Sequence, residues 1–267
     1  MDGVLHLPKG AVAIMKYPSD SEPSLTIPRR RLAPQHLGDR MPQHAGPLRR
    51  LWHNHGLSCA LVALFVFSMV GQIWSGWYAY NADQNEHGEP AVGLGDYLCS
   101  GHFGEATFEN LESEFLQMTF YVLLTVSLYQ RGSSESKRPD VVEAVDLDPR
   151  DSPKKDEAPW PVRRGGLVLT LYENSLSIVF VVLFVASFIL HATTGAALYN
   201  EEQLTHGGDQ LSVIDFVITA QFWFESFQNW QSEFLSLAAM VVLTIFLRQR
   251  GSPESKPVDA PLWESGN

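Results

Sequence analysis

Two polar clusters stand at equal spacing ahead of two apolar runs. They are Asn110, Ser113 and Glu114, and, 119 residues later, Asn229, Ser232 and Glu233. Residues four apart share one face of an α-helix, so each Asn–Glu pair points the same way. Glu114 precedes Arg131 by 17 residues, about 25 Å along a helix at 1.5 Å per residue. A carboxylate at that depth is costly in hydrocarbon unless paired, hydrated or protonated, and such residues mark ion and proton paths. Glu114, Glu233, Asn110 and Asn229 are therefore a candidate ion or proton site, on helices whose equivalence lets the two glutamates meet. The competing reading is a wet interfacial glutamate at a helix N-terminus, where negative charge is favoured.

Two further patterns carry potential chemistry. His102, Glu105, Glu109 and Glu112 fall at i, i+3, i+7 and i+10, one stripe of a helix that begins early enough. One imidazole and three carboxylates can bind a divalent cation. Their counterparts 119 residues on are Gln221, Phe224, Gln228 and Gln231, so the stripe reads as a solvated acidic face and no metal is assigned. The second pattern is YNADQNEHG from Tyr80 and YNEEQLTHG from Tyr199. His87 and His206 form a candidate outer-loop polar pair, suited to a metal or to pH sensing. Alternatively the segments are loop geometry, with Gly88 and Gly207 supplying turns and Asn81 and Asn200 ending a helix.

The elements that must position these residues follow from a repeat. Arg50 to Asp140 aligns without a gap to Leu169 to Asp259, and about 33 of the 91 positions are identical. Each copy holds two apolar segments around an acidic loop. LSCALVALFVFSMVGQIWSG from Leu57 and LSIVFVVLFVASFIL from Leu176 carry no charge. Each approaches the roughly 20 residues that cross about 30 Å of hydrocarbon. The second segments, from Phe115 and Phe234, are shorter and need the polar residues before them to reach that length. The expected fold is an all-α membrane protein with four transmembrane helices, arranged as two parallel, same-orientation helical hairpins.

Charge sets the orientation. None of the 19 Lys and Arg lies between Leu51 and Gln130 or between Gly165 and Leu247. Basic residues stay on the cytoplasmic side, which places both termini and the linker there and both acidic loops outside. Residues 1–48, rich in Pro, Ser and Arg, read as a disordered cytoplasmic tail, with Met41 an alternative start. Residues 49–132 form membrane repeat 1, and 133–163 a flexible cytoplasmic linker. Membrane repeat 2 follows at 164–251 and a cytoplasmic tail at 252–267. Arg131 and Arg250 are expected at helix C-termini, with Gly132 and Gly251 as caps. The near-identical QRGSSESK and QRGSPESK there read as solvated flanks rather than partner-binding motifs. The two cysteines, Cys59 and Cys99, have no cysteine partner in the other copy.

The net charge of −11 comes without a basic face, which excludes nucleic acid as a partner. No P-loop, GxSxG, HExxH or CxxC occurs, so the reading is non-enzymatic and needs no cofactor. Haem ligation fails because His191, the one central histidine in a span, aligns with Gln72. The residues NHGLS from Asn54, VGQIWSGWYAYN from Val70, HGEP from His87, SGHFGEATFENLESEFLQM from Ser100 and QRGSSESK resemble an uncharacterised family of bacterial integral membrane proteins, catalogued as a domain of unknown function. The resemblance implies a multi-pass protein of the bacterial inner (plasma) membrane and brings no activity. The leading expectation is a multi-pass membrane protein that conducts a small cation or proton through paired outer-face glutamates. The alternative is a structural or accessory protein that binds a partner without transport. Expected partners are the lipid bilayer and a second copy or another membrane protein.

Overall fold

The computed structural model describes residues 46–151 and 157–266. The expected disordered tail up to residue 45, the Met41 start and linker residues 152–156 lie outside the described residues. By internal contacts the chain divides into Met1–Ala60 and Leu61–Asn267.

Eight α-helices and no strand occur among the described residues. They are α1 (Pro47–Glu86), α2 (Leu94–Leu98), α3 (Gly101–Ser127), α4 (Trp160–Arg164), α5 (Gly166–Glu173), α6 (Ser175–His206), α7 (Val213–Val217) and α8 (Ala220–Phe246). A single 3₁₀ turn covers Ala144–Asp146. Among these, Leu48–Glu86, Ser175–His206 and Ala220–Phe246 are long and apolar enough to cross a membrane. The apolar stretch of α1 is entirely unburied within the chain, and an apolar surface of that extent needs lipid or protein against it. Helix α3 matches α8 at 27 residues. With four glutamates, it falls outside that set.

Local chemistry explains the boundaries. The Ser100 and Thr219 hydroxyls accept from the Phe103 and Phe222 amides and start α3 and α8, each satisfying an amide without an intrahelical partner. Gly207, at φ 71°, ends α6 in the left-handed region, where a Cβ is unfavourable. Two expectations are corrected. First, α1 and α6 run on past Asn81 and Asn200. Asn81 instead grips Val92 through both backbone groups, at 2.7 and 3.2 Å, and Asn200 grips Leu211 in the same way at 2.7 and 2.9 Å. The side chains thus pin the returning loop to the helix wall. Second, α3 and α8 stop at the extended residues Leu128 and Leu247. Arg131 and Arg250 therefore lie beyond the helices, and Gly132 and Gly251, at φ 90° and 87°, turn the chain there.

The octapeptides after those helices are hydrogen-bonded turns; the first is largely buried, against the expected solvated flank, whereas the second stays mostly exposed. Ser136 Oγ accepts from the Gln130 amide at 2.8 Å, and Ser255 Oγ from the Gln249 amide at 2.9 Å. Ser133 and Lys256 are buried. The Lys256 ammonium donates to the carbonyls of Pro261, Leu262 and Glu264 at 2.9–3.3 Å. The Gly132 amide donates to Ser265 Oγ, and the Gly266 amide to the Ser133 carbonyl.

Close packing places the site. Gly101 and Gly104 of α3 meet Leu198 and Thr194 of α6 so closely that a Cβ at either would stand 2.6 or 2.5 Å from them. Numbers rise on α3 as they fall on α6, so the two helices are antiparallel. Small residues at such a crossing let backbones approach. Helix α3 also lies along α8, where Gln117 donates to the Glu233 carbonyl and to Ser236 Oγ. The buried apolar cluster of Ala192, Ala196, Phe216 and Phe222 packs α7 and α8 against the middle of α6.

Candidate functional site

The most buried ionisable side chains lie where α3, α6 and α8 meet. His191 stands halfway along the 32 residues of α6, and its side chain is 0% exposed. Glu112 of α3 is as deeply buried, and its Oε2 lies 2.7 Å from His191 Nδ1. Its other oxygen, Oε1, accepts from Trp230 Nε1 of α8 at 3.1 Å. An indole N–H only donates, so Oε1 is an acceptor and one proton is shared between Oε2 and Nδ1. The imidazole stacks on Phe222, ring centres 4.7 Å apart and planes 27° from parallel.

The far side of that ring is unsatisfied. His191 Nε2 and Glu225 Oε2 of α8 face each other at 3.7 Å, too far for a hydrogen bond. Both atoms are buried without a partner, as is Ser226 Oγ. An orphaned buried polar atom costs about 1–3 kcal/mol, and three on adjoining elements call for an occupant or a function. Two more carboxylates complete the cluster. Glu109 accepts from Asn229 and lies within electrostatic reach of His191, Glu225 and Glu112. Glu105 lies within reach of Glu225, Glu109, His191 and Glu202. Among the described residues no three His, Cys, Asp or Glu are grouped so as to hold a metal ion.

The expected solvated acidic face is thus wrong at Glu112. The helical stripe turns inward, because the close Gly104–Thr194 and Gly101–Leu198 contacts seat α3 on α6 along that face. Glu114, two residues on and about 200° around the helix, is exposed, whereas Glu233 is half-buried. The two lie within electrostatic reach of each other. Asn110 donates to its own helix at the Ala106 carbonyl, while Asn229 is drawn into the buried cluster. Of the four candidates chosen by repetition, only Asn229 touches it.

A second concavity lies between the last turns of α1 and α6. Its volume is about 290 Å³, and it is lined by Tyr80, Asp83, His87, His102, Glu201, Glu202 and His206 among others. The His87 and His206 rings come within 6.2 Å of each other at 76°. Each Nδ1 is held by its own helix, at the Asp83 and Glu202 carbonyls, so the pair is positioned by helix geometry. Tyr80 bridges the two helices, its hydroxyl 2.5 Å from Glu201 Oε1 and accepting from Gln84 at 3.0 Å.

Sequence reasoning missed His191 and Glu225. His191 was set aside for want of a symmetric partner, yet a lone histidine in an uncharged span was the available signal. Many contacts do recur 119 residues apart. Tyr80 meets Tyr97 and Tyr199 meets Phe216, each pair at 5.8 Å. The cluster is where the copies differ. In the first copy Gln72, which aligns with His191, donates to Thr107 at 3.3 Å. A family described as a domain of unknown function, DUF6766, matches residues 48–267. Neither the curated proteins nor the solved structures gave a match.

Proposed function

The chain belongs to this family of unknown function, and from its own geometry we propose that it is a four-span bacterial inner-membrane protein that moves a small cation through its α3–α6–α8 core. The observation that carries the reading is the buried Glu112–His191 pair with Glu225 Oε2 unsatisfied beside it. Two of the three helices around it, α6 and α8, are long and apolar enough to cross a membrane. Ionisable groups in such a setting are expensive and persist where they bind or pass ions. A purely structural role is better served by apolar packing, since a buried pair seldom stabilises beyond a hydrophobic substitute.

Helix α3 serves as the fourth span, with Glu105, Glu109 and Glu112 turned into the protein and Glu114 facing outward. The absence of Lys and Arg from both acidic loops supports two hairpins of one orientation with both termini cytoplasmic. Glu112 and His191 hold the cation site, and Glu105, Glu109 and Glu225 surround it with negative charge. Towards the other end of α3, buried Leu116 separates Glu112 from Gln117. Beyond it Tyr121 donates to Glu135, so polar groups resume past one apolar layer.

The test is flux of H⁺, Na⁺ and K⁺ in proteoliposomes of the full chain. At least one flux is expected to depend on Glu112 and to fall in E112Q, while the doubly substituted E114Q/E233Q protein retains it. Absence of any Glu112-dependent flux, with the protein folded, leaves the structural or accessory reading in its place.

A further inference from the structure

Resting on the reading above, we infer that the ion taken up in the core is a proton, which reaches His191 from the cavity between α1 and α6 by way of Glu202 and Glu105. Three observations carry it. The first is the arrangement of acceptors. In the tautomer that carries its hydrogen on Nδ1 and donates it to Glu112 Oε2, Nε2 presents a lone pair to Glu225 Oε2 at 3.7 Å. Two acceptors facing each other in a dry site repel, and one added proton turns the contact into an ion pair.

The second is the shortage of ligands. A metal or alkali ion needs four or more donors around it. Here only Nε2, Glu225 Oε2 and Ser226 Oγ are unpartnered, and no three of the metal-binding types are grouped for the task. A proton needs only one donor and one acceptor.

The third is the route. The cavity contains Glu202, and Glu105 Oε1 reaches the wall of α6, 3.7 Å from where a Cβ on Gly195 would stand, one turn from His191, within electrostatic reach of Glu202, Glu225 and His191. His102, also in the cavity wall, has a buried Nδ1 without a partner. The groups facing the imidazole are Glu105, Glu109 and Glu112 from α3, Glu225 from α8, and the Phe222 ring. None is cationic, so no neighbouring charge repels the added proton, and the four carboxylates offset the cost of burying it.

The transfer balances simply. A proton from the outer solution passes through the Glu202 and Glu105 carboxylates and bonds to His191 Nε2. Nδ1 keeps the proton it shares with Glu112, and the resulting imidazolium pairs with Glu225. Release reverses the step.

Two measurements on the full chain test this. In proteoliposomes carrying an internal pH dye, the Glu112-dependent flux should be of protons and unchanged by 100-fold excess Na⁺ or K⁺. The E105Q protein should lose it by about 100-fold or more, the scale of a lost proton relay. In nanodiscs, ¹⁵N NMR of histidine should show His191 Nε2 titrating, with a midpoint that falls in E225Q. A Glu112-dependent flux of Na⁺ or K⁺ leaves the cation-transport reading intact and overturns the proton. A proton flux indifferent to E105Q overturns the route. Loss of every flux removes the transport reading, and a His191 Nε2 that fails to titrate removes the proton site.

Discussion

Replacing Glu112 with Ala removes one acceptor from each of two buried donors. Trp230 Nε1 loses its 3.1 Å bond and His191 Nδ1 its 2.7 Å bond. Each orphaned group costs about 1–3 kcal/mol, and breaking a buried pair by removing one partner costs about 3–5 kcal/mol. The two routes describe the same loss, so about 3–5 kcal/mol is expected, a large share of a typical 5–15 kcal/mol stability. Glu114→Ala, at an exposed position two residues away, should stay within about 0.5 kcal/mol. The assay is thermal unfolding of both proteins in one detergent. E112A should melt on the order of 10 °C below wild type, taking about 2–4 °C per kcal/mol at this size. The double replacement E112L/H191L should recover most of the loss, because an apolar pair of similar volume removes both buried polar groups. Equal melting of E112A and E114A would refute the burial of the stripe. A double replacement worse than the sum of its parts would refute the pairing.

Two further outcomes follow from the packing. A Cβ on Gly76 would stand 2.1 Å from the Tyr97 hydroxyl, and one on Gly195 would stand 2.8 Å from the Phe216 ring. Gly76→Ala and Gly195→Ala should each cost about 1–3 kcal/mol by overpacking, read by thermal unfolding, whereas Gly71→Ala, with open space around it, should not. Burial, helped by the nearby Arg248 charge, holds the Lys256 ammonium below the ordinary lysine range. Between that lowered value and the usual value of about 10.4, the unfolded chain binds more protons than the folded one, so stability from this group rises with pH. The melting difference between wild type and K256M should widen from about pH 8 to about pH 10; a gap that narrows contradicts the sign.

Much of the fold was legible because it depends on composition and local caps. The uncharged run from Leu176 required a long helix, and α6 is one. The acidic composition before Phe115 hid the length of α3, which begins at Gly101 because Ser100 caps it. The repeat correctly marked scaffold features such as the Asn81–Val92 and Asn200–Leu211 clamps. It misdirected the choice of site. Features common to both copies hold the bundle together, whereas Glu112, His191 and Glu225 align with Gln231, Gln72 and Ala106. Periodicity put Glu105, Glu109 and Glu112 on one stripe but did not say which way the stripe faced. That was decided by the close approach of α3 to α6 at Gly101 and Gly104, a tertiary contact that hydropathy does not encode.

The most direct test of the central claim is ion flux through the reconstituted full chain, wild type beside E112Q, with E114Q/E233Q as the control at exposed and half-buried glutamates. The buried core predicts a cation flux that E112Q abolishes and the control preserves. Flux that survives E112Q and disappears in E114Q/E233Q would contradict it and return the ion path to the face of α3 away from His191.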